Sequence, residues 1–223
     1  DAFCPFGMNK HVIYPTYGLA EHTVFVCSGG KQQLTVSKKD LEVDGVVKEV
    51  DDANDKSDAE GGTTVLMGCG YPSNQKVDVR IVDAETMQEV DNGNVGEIWV
   101  RSASKAAGYY NKPDETTEDF HAKISKAADD DDGEEGDAEY LKTGDLGFMY
   151  KEELFICGRI KDLIIVGGRN YYPQDIEETA QEAVDALRPG CTAAFTVDPV
   201  DSKGEEVAFI AELRDVPKGK DAE

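Results

Sequence analysis

The sequence predicts an α+β fold, and three observations carry the prediction. Short apolar stretches with strand-like alternation crowd the chain up to residue 166, one Pro-led helical pattern opens at Pro173, and strands resume after it. No segment repeats at a fixed spacing, which removes solenoids and propellers. At 223 residues the chain holds one large domain, or one domain and part of a second. The change from clustered strands to a helix-bearing remainder puts the expected boundary at residues 159–162, between 1–158 and 163–223.

The opening DAFCPFGMNK reads as a loop, followed by a short strand at residues 12–14, a Pro-Thr-Tyr-Gly corner and a second apolar run at 23–27. QLTVSKKDLEVDGVVKEV alternates as a half-buried hairpin does, with its turn near Asp44-Gly45, and then gives way to the polar DDANDKSDAEGG. VDVRIV (77–82) and VGEIWVR (95–101) are strands, with a turn at Asp91-Asn92-Gly93-Asn94 between them. Thr116, Phe120 and Ile124 recur at near-helical spacing and predict a short helix over 115–124. Strands are expected at 148–150, 154–157 and 163–166. Proline at the first helical position costs no hydrogen bond, and Asp175, Glu177 and Glu178 suit the positive end of the helix dipole. The stripe Ile176, Ala180, Ala183, Val184, Leu187 extends that helix to Arg188-Pro189-Gly190, and strands at 192–197 and 207–213 follow.

A net charge of −23 and a pI near 4.4 argue against nucleic acid or an anionic membrane face as a partner. Much of the charge lies in runs at 51–60 and 129–137, which read as solvated loops. Four aspartates in a glycine-broken loop do not fix carboxylates at metal-ligand geometry. Five scattered cysteines without a CxxC pair fit reduced thiols in the cytoplasm better than a disulfide frame or a zinc site. Three histidines without HxxxH spacing give no transition-metal centre. No apolar run reaches membrane-spanning length, and no secretory leader opens the chain. A start at Asp1 and a charged end, PKGKDAE, lead us to expect a piece of a longer protein.

Four groups of residues are suited to ligand chemistry, and each has a plainer alternative. Asp145 follows Thr143-Gly144 at an expected turn. An ionised aspartate only accepts hydrogen bonds and so suits two ribose hydroxyls, or else it satisfies nearby amides as an Asx-turn. Tyr17-Gly18-Leu19-Ala20-Glu21 sets an aromatic face, a close backbone approach and a possible Mg²⁺ carboxylate within five residues. The same five also fit a packed tyrosine and a helix-start glutamate. Arg159 and Lys161 flank Ile160, so strand alternation would put both cations on one face, for phosphate or ribose oxygens or for a surface ion pair. Gly167-Gly168 lacks the lysine-serine pair of a phosphate loop and reads as a tight turn.

Order and spacing decide what single motifs leave open. YGLAEHTVFV, GEIWVRS, GYYNKPDETTEDF, LKTGDLGF and GRIKDLIIVGGRNYYPQDIEE together resemble successive motifs of the adenylate-forming superfamily of acyl-CoA synthetases, adenylation domains and luciferases. Within it the chain resembles the fatty acyl-AMP ligases, and residues 32–60 resemble the insertion that separates them from CoA-ligase relatives. The resemblance covers nearly the whole chain. It implies the β-rich remainder of a large adenylation domain (1–158), a hinge (159–162) and the start of a small α+β domain (163–223).

The resemblance also implies residue roles and a reaction. Tyr17 would contact adenine, Gly18, Leu19 and Ala20 would line the nucleotide pocket, and Glu21 would bind Mg²⁺. Asp145 would hold the ribose hydroxyls, Ile156 would pack near adenine, Arg159 would reach the ribose, and Lys161 would be the hinge. The implied reaction activates a fatty acid with ATP and passes the acyl group to an acyl carrier protein or a polyketide or peptide synthase module. The family's phosphate loop and catalytic lysine lie outside this sequence, so the chain alone is expected not to turn over. His22 and Tyr171 depart from the residues usual in the family. Competing expectations are an acyl-CoA ligase, a non-catalytic acyl-adenylate or lipid-binding module, and an acidic interaction protein.

Overall fold

VGEIWVR places apolar side chains on both faces of one strand, and the first 160 residues are built around that strand. The structure, a computed structural model, describes residues 3–9, 12–50, 62–125, 138–166, 169–197 and 206–214. The acidic runs at 51–60 and 129–137, the Gly167-Gly168 turn and the charged tail lie outside the described residues. Two compact units divide the chain, Asp1–Ile160 and Lys161–Glu223.

The first unit runs β1 (Thr16–Tyr17), β2 (Cys27–Ser28), β3 (Gln33–Ser37), β4 (Thr63–Met67), β5 (Asp78–Val82), β6 (Gly96–Arg101), α1 (Pro113–Phe120), β7 (Leu141–Tyr150) and β8 (Glu153–Arg159). β5, β6, β7 and β8 pair in that order as an antiparallel sheet. β1 pairs with β2 and β3 with β4 as two-stranded sheets. Side chains alternate across a strand, so Ile98 and Val100 of β6 join one core with Val26, Leu141 and Leu154. Trp99 joins another with Val82, Ala122 and Tyr140. Phe148 and Phe155 sit opposite each other on β7 and β8 with their rings stacked at 5.0 Å.

One polar tie joins β5, β6 and the residue that precedes β7. Arg80 donates to Asp78 Oδ1 at 2.9 Å, and Arg101 and Tyr140 each donate to Oδ2 at 2.8 Å. Burial alone raises the Asp78 carboxyl, but hydrogen bonds from Tyr140, Arg80 and Arg101 overcome it and hold the group below its usual range.

Several expected elements move. Residues 12–14 form no strand, and β1 falls in the expected Pro-Thr-Tyr-Gly corner because Thr16 and Tyr17 pair with Ser28 and Cys27. The expected hairpin at Asp44-Gly45 survives as a single bridge, Val36 to Glu49. β3 pairs instead with β4, and Asp40–Asp44 winds into a wide helical turn closed by Gly45 at φ +63. α1 stops at Phe120 instead of 124, since Ala122 is already bridged to Tyr140. The expected Thr-Gly-Asp turn lies inside the ten-residue β7.

The second unit runs β9 (Ile164–Val166), β10 (Arg169–Tyr171), α2 (Pro173–Ala183), β11 (Leu187–Val197) and β12 (Glu206–Leu213). β9 pairs with β10, and β11 with β12, both antiparallel. α2 ends four residues before the expected Leu187, because Leu187 pairs with Leu213 and draws the backbone into β11. Gln181 and Glu177 tie the helix to β11: Gln181 Nε2 donates to Thr192 Oγ1 at 2.9 Å, and Ala194 N–H donates to Glu177 Oε1 at 3.0 Å.

Candidate functional site

Asp145 is buried on β7, and each of its oxygens takes a donor from a different strand. Tyr17 Oη of β1 donates to Oδ2 at 2.6 Å, and Arg159 Nε of β8 donates to Oδ1 at 2.9 Å. Arg159 lies directly opposite Asp145 in the β7–β8 register, which accounts for the short reach. Its side chain is 67% exposed, so this ion pair stands at the mouth of the site. Burial, and next the Asp145 hydrogen bond, push the Tyr17 phenol far above its usual pKa, and Tyr17 therefore acts as a donor.

The strand beneath Asp145 is braced by polar groups. Asp145 N–H donates to Thr143 Oγ1 at 3.1 Å, and that hydroxyl donates to the Ile98 carbonyl at 2.7 Å. Gly144, at φ +71, donates its N–H to Glu97 Oε1 at 2.9 Å, and Trp99 Nε1 donates to Glu97 Oε2 at 2.9 Å. Glu97 is buried, so its two donors offset the cost of removing a carboxylate from water.

Tyr17 is followed by a segment folded back on itself. Val24 N–H donates to Leu19 O at 2.9 Å and Thr23 N–H to Ala20 O at 3.1 Å, closing the short helical turn Ala20–His22. Gly18 has no room for a side chain, since a Cβ there would lie 1.5 Å from the Val24 carbonyl oxygen. Glu21 projects from this turn and takes the Tyr109 hydroxyl on Oε1 at 3.1 Å. Burial, then the charge and hydrogen bond of Glu21, push the Tyr109 phenol up to about 12. His22 is fully buried. A carbonyl only accepts, so Nδ1 donates to Phe25 O at 2.8 Å, and in the neutral ring Nε2 accepts from Ser102 Oγ at 2.7 Å.

Tyr17, Asp145 and Arg159 are thus in direct contact, and Gly18, Leu19, Ala20 and Glu21 continue from Tyr17. Ile156 lies opposite Gly147 on β8 and packs, with Tyr17 and Leu19, against the Ile98 core. Lys161 does not share a face with Arg159 by strand alternation. β8 ends at Arg159, and Ile160–Asp162 form a short 3₁₀ turn. Lys161 is exposed and lines a shallow cavity of about 350 Å³ in the second unit with Pro173, Glu177 and Phe195.

AMP-binding enzymes match residues 3–110 as a family. A long-chain-fatty-acid–AMP ligase, FadD32, of Mycolicibacterium smegmatis is 39% identical over 93% of this chain and 32% of its own length. A medium-chain-fatty-acid–[acyl-carrier-protein] ligase, JamA, of Moorena producens is 38% identical over 94% of this chain and 33% of its own. Residues 3–110 thus resemble the AMP-binding enzymes, and these relatives extend the similarity over nearly the whole chain.

The chain also matches the crystal structure of a fatty acyl-adenylate ligase from Legionella pneumophila in complex with acyl adenylate and pyrophosphate. The TM-score is 0.61 at 37% identity, covering 99% of this chain and 36% of that one. The chain therefore spans about a third of the length of these relatives. The α+β expectation and the family resemblance are both borne out. Residue-by-residue reading missed Glu97, Thr143, Ser102 and Tyr109. The one visible signal was for Glu97, a carboxylate within an otherwise apolar strand.

Proposed function

We propose that this chain supplies the ribose-, metal- and hinge-bearing part of a fatty acyl-AMP ligase. The ligase activates a fatty acid with ATP and delivers the acyl group to the phosphopantetheine thiol of an acyl carrier protein or a polyketide or peptide synthase module. The carrying observation is the buried Asp145 carboxylate with Tyr17 on one oxygen and Arg159 on the other. Each oxygen of a carboxylate has two lone-pair sites, so one remains on each for the two hydroxyls of a ribose. Tyr17 and Ile156 flank the adenine, Gly18, Leu19 and Ala20 bring backbone close to the nucleotide, and Arg159 reaches the ribose edge. Residues 1–158 belong to the large domain and 163–223 begin the small one, with Lys161 as the pivot within 159–162. The relatives' named activities, one toward a carrier protein, support this reading.

Glu21 is the residue that would hold Mg²⁺. Magnesium takes hard oxygen donors, commonly one or two carboxylates with phosphate oxygens completing the shell, and Glu21 offers such a carboxylate with one oxygen already fixed. The ion, when bound, neutralises charge on the phosphates. In the first half-reaction a carboxylate oxygen of the fatty acid attacks the α-phosphorus in line. A new oxygen–phosphorus bond forms, the bond to the β-phosphate bridging oxygen breaks, and pyrophosphate leaves with its electron pair. In the second, the thiolate sulfur attacks the acyl carbon and AMP departs. The chain's part in both is orientation, holding ribose and phosphate in reacting geometry.

ATP–pyrophosphate exchange by the full-length protein, with a medium-chain fatty acid, tests the proposal. Exchange should require the fatty acid and fall by about 100-fold in Asp145→Ala, the size expected for losing hydrogen bonds to a charged group. Absence of exchange from folded, full-length protein would move the reading to a ligase-like binding module.

A further inference from the structure

The loop leaving β6 grips the Glu21 segment at four points between Ser102 and Tyr109. Ser102 Oγ meets His22 Nε2 at 2.7 Å, and Thr23 Oγ1 donates to Ser104 O at 2.8 Å. Ala106 N–H donates to the Glu21 carbonyl at 2.8 Å, and Tyr109 Oη donates to Glu21 Oε1 at 3.1 Å. The first three contacts hold the Glu21 carbonyl and the side chains of the two residues that follow it. Only the fourth touches its carboxylate.

A glutamate side chain has three torsions, and ordering them on ligand binding costs conformational entropy. Tyr109 is placed independently of Glu21. Its ring stands edge-on to Phe120 at a centroid distance of 5.0 Å and 90°, and packs against the core that holds Ile98 and Leu141. Its hydroxyl is therefore a preset donor that Glu21 meets. We infer that Tyr109 is a positioning residue for Glu21, selecting by its hydrogen bond to Oε1 the rotamer that leaves Oε2 to a divalent cation. This rests on the reading of Glu21 as the magnesium ligand. Such an outer partner tunes a metal site without touching the metal, by orienting the group that does.

A purely structural role for Tyr109 predicts something different, and a double-mutant cycle separates the two. Tyr109→Phe keeps the ring, and with it the Phe120 contact, while deleting only the donor. Mn²⁺ binding to the full-length protein with a non-hydrolysable ATP analogue, followed by water-proton relaxation, is measured for wild type, Tyr109→Phe, Glu21→Gln and the double variant. Tyr109→Phe should weaken Mn²⁺ about three- to tenfold. It should leave binding of the analogue in metal-free buffer unchanged, and it should add no further loss in the Glu21→Gln background. Unchanged Mn²⁺ affinity in Tyr109→Phe, or the same loss in both backgrounds, overturns the positioning role. Unchanged affinity in Glu21→Gln overturns the reading of Glu21 as ligand, and the inference with it.

Discussion

The two donors on Asp145 differ in what they contribute. Arg159 is mostly exposed, and water screens much of its attraction. Tyr17 is packed against the core and donates to a buried carboxylate at 2.6 Å, the circumstance in which a hydrogen bond counts most. Tyr17→Phe should therefore lower the stability of the first unit by about 1.5–3 kcal/mol, read as a lower urea midpoint by circular dichroism. An unchanged midpoint would leave the bond without energetic weight.

At the scale of elements, the Asp78 tie joins β5, β6 and the residue preceding β7. Its folded pKa is depressed, so its stabilisation is complete above the unfolded carboxylate value and is lost as pH falls through the lower, folded one. Asp78→Asn should lower the melting temperature at pH 7 and lose less between pH 7 and pH 3 than wild type does, in parallel melts. A variant as acid-sensitive as wild type would place that sensitivity elsewhere. Elements carried by alternation alone, such as β5 and β6, were legible within a residue. Those set by a distant partner were not: nothing near Gln33 announces β4, and nothing near Leu187 announces Leu213.

At the scale of the molecule, the site is legible where function confines residue type. Tyr17, Asp145 and Arg159 stand out as motif residues and meet in space. Glu97, Ser102 and Tyr109 act from the strands and loops behind them, and that role depends on which chain segments the sheet brings together. The chain spans about a third of its relatives, and the family resemblance leads us to expect the phosphate loop and catalytic lysine outside it. Residues 1–223 expressed alone should accordingly show no pyrophosphate exchange above background. Steady exchange by that polypeptide would sink the assignment of those missing parts.

The brace under Asp145 has an optical consequence. Trp99 is the protein's single tryptophan and is fully buried, with its indole N–H on Glu97. The other Glu97 oxygen holds the amide of Gly144, the residue before Asp145. A ligand that draws on the Asp145 carboxylate should be felt along this relay, which ends in a chromophore. The emission of Trp99 is therefore a built-in, label-free reporter of occupancy, one that should shift when a nucleotide arrives and fall silent to it in Glu97→Gln.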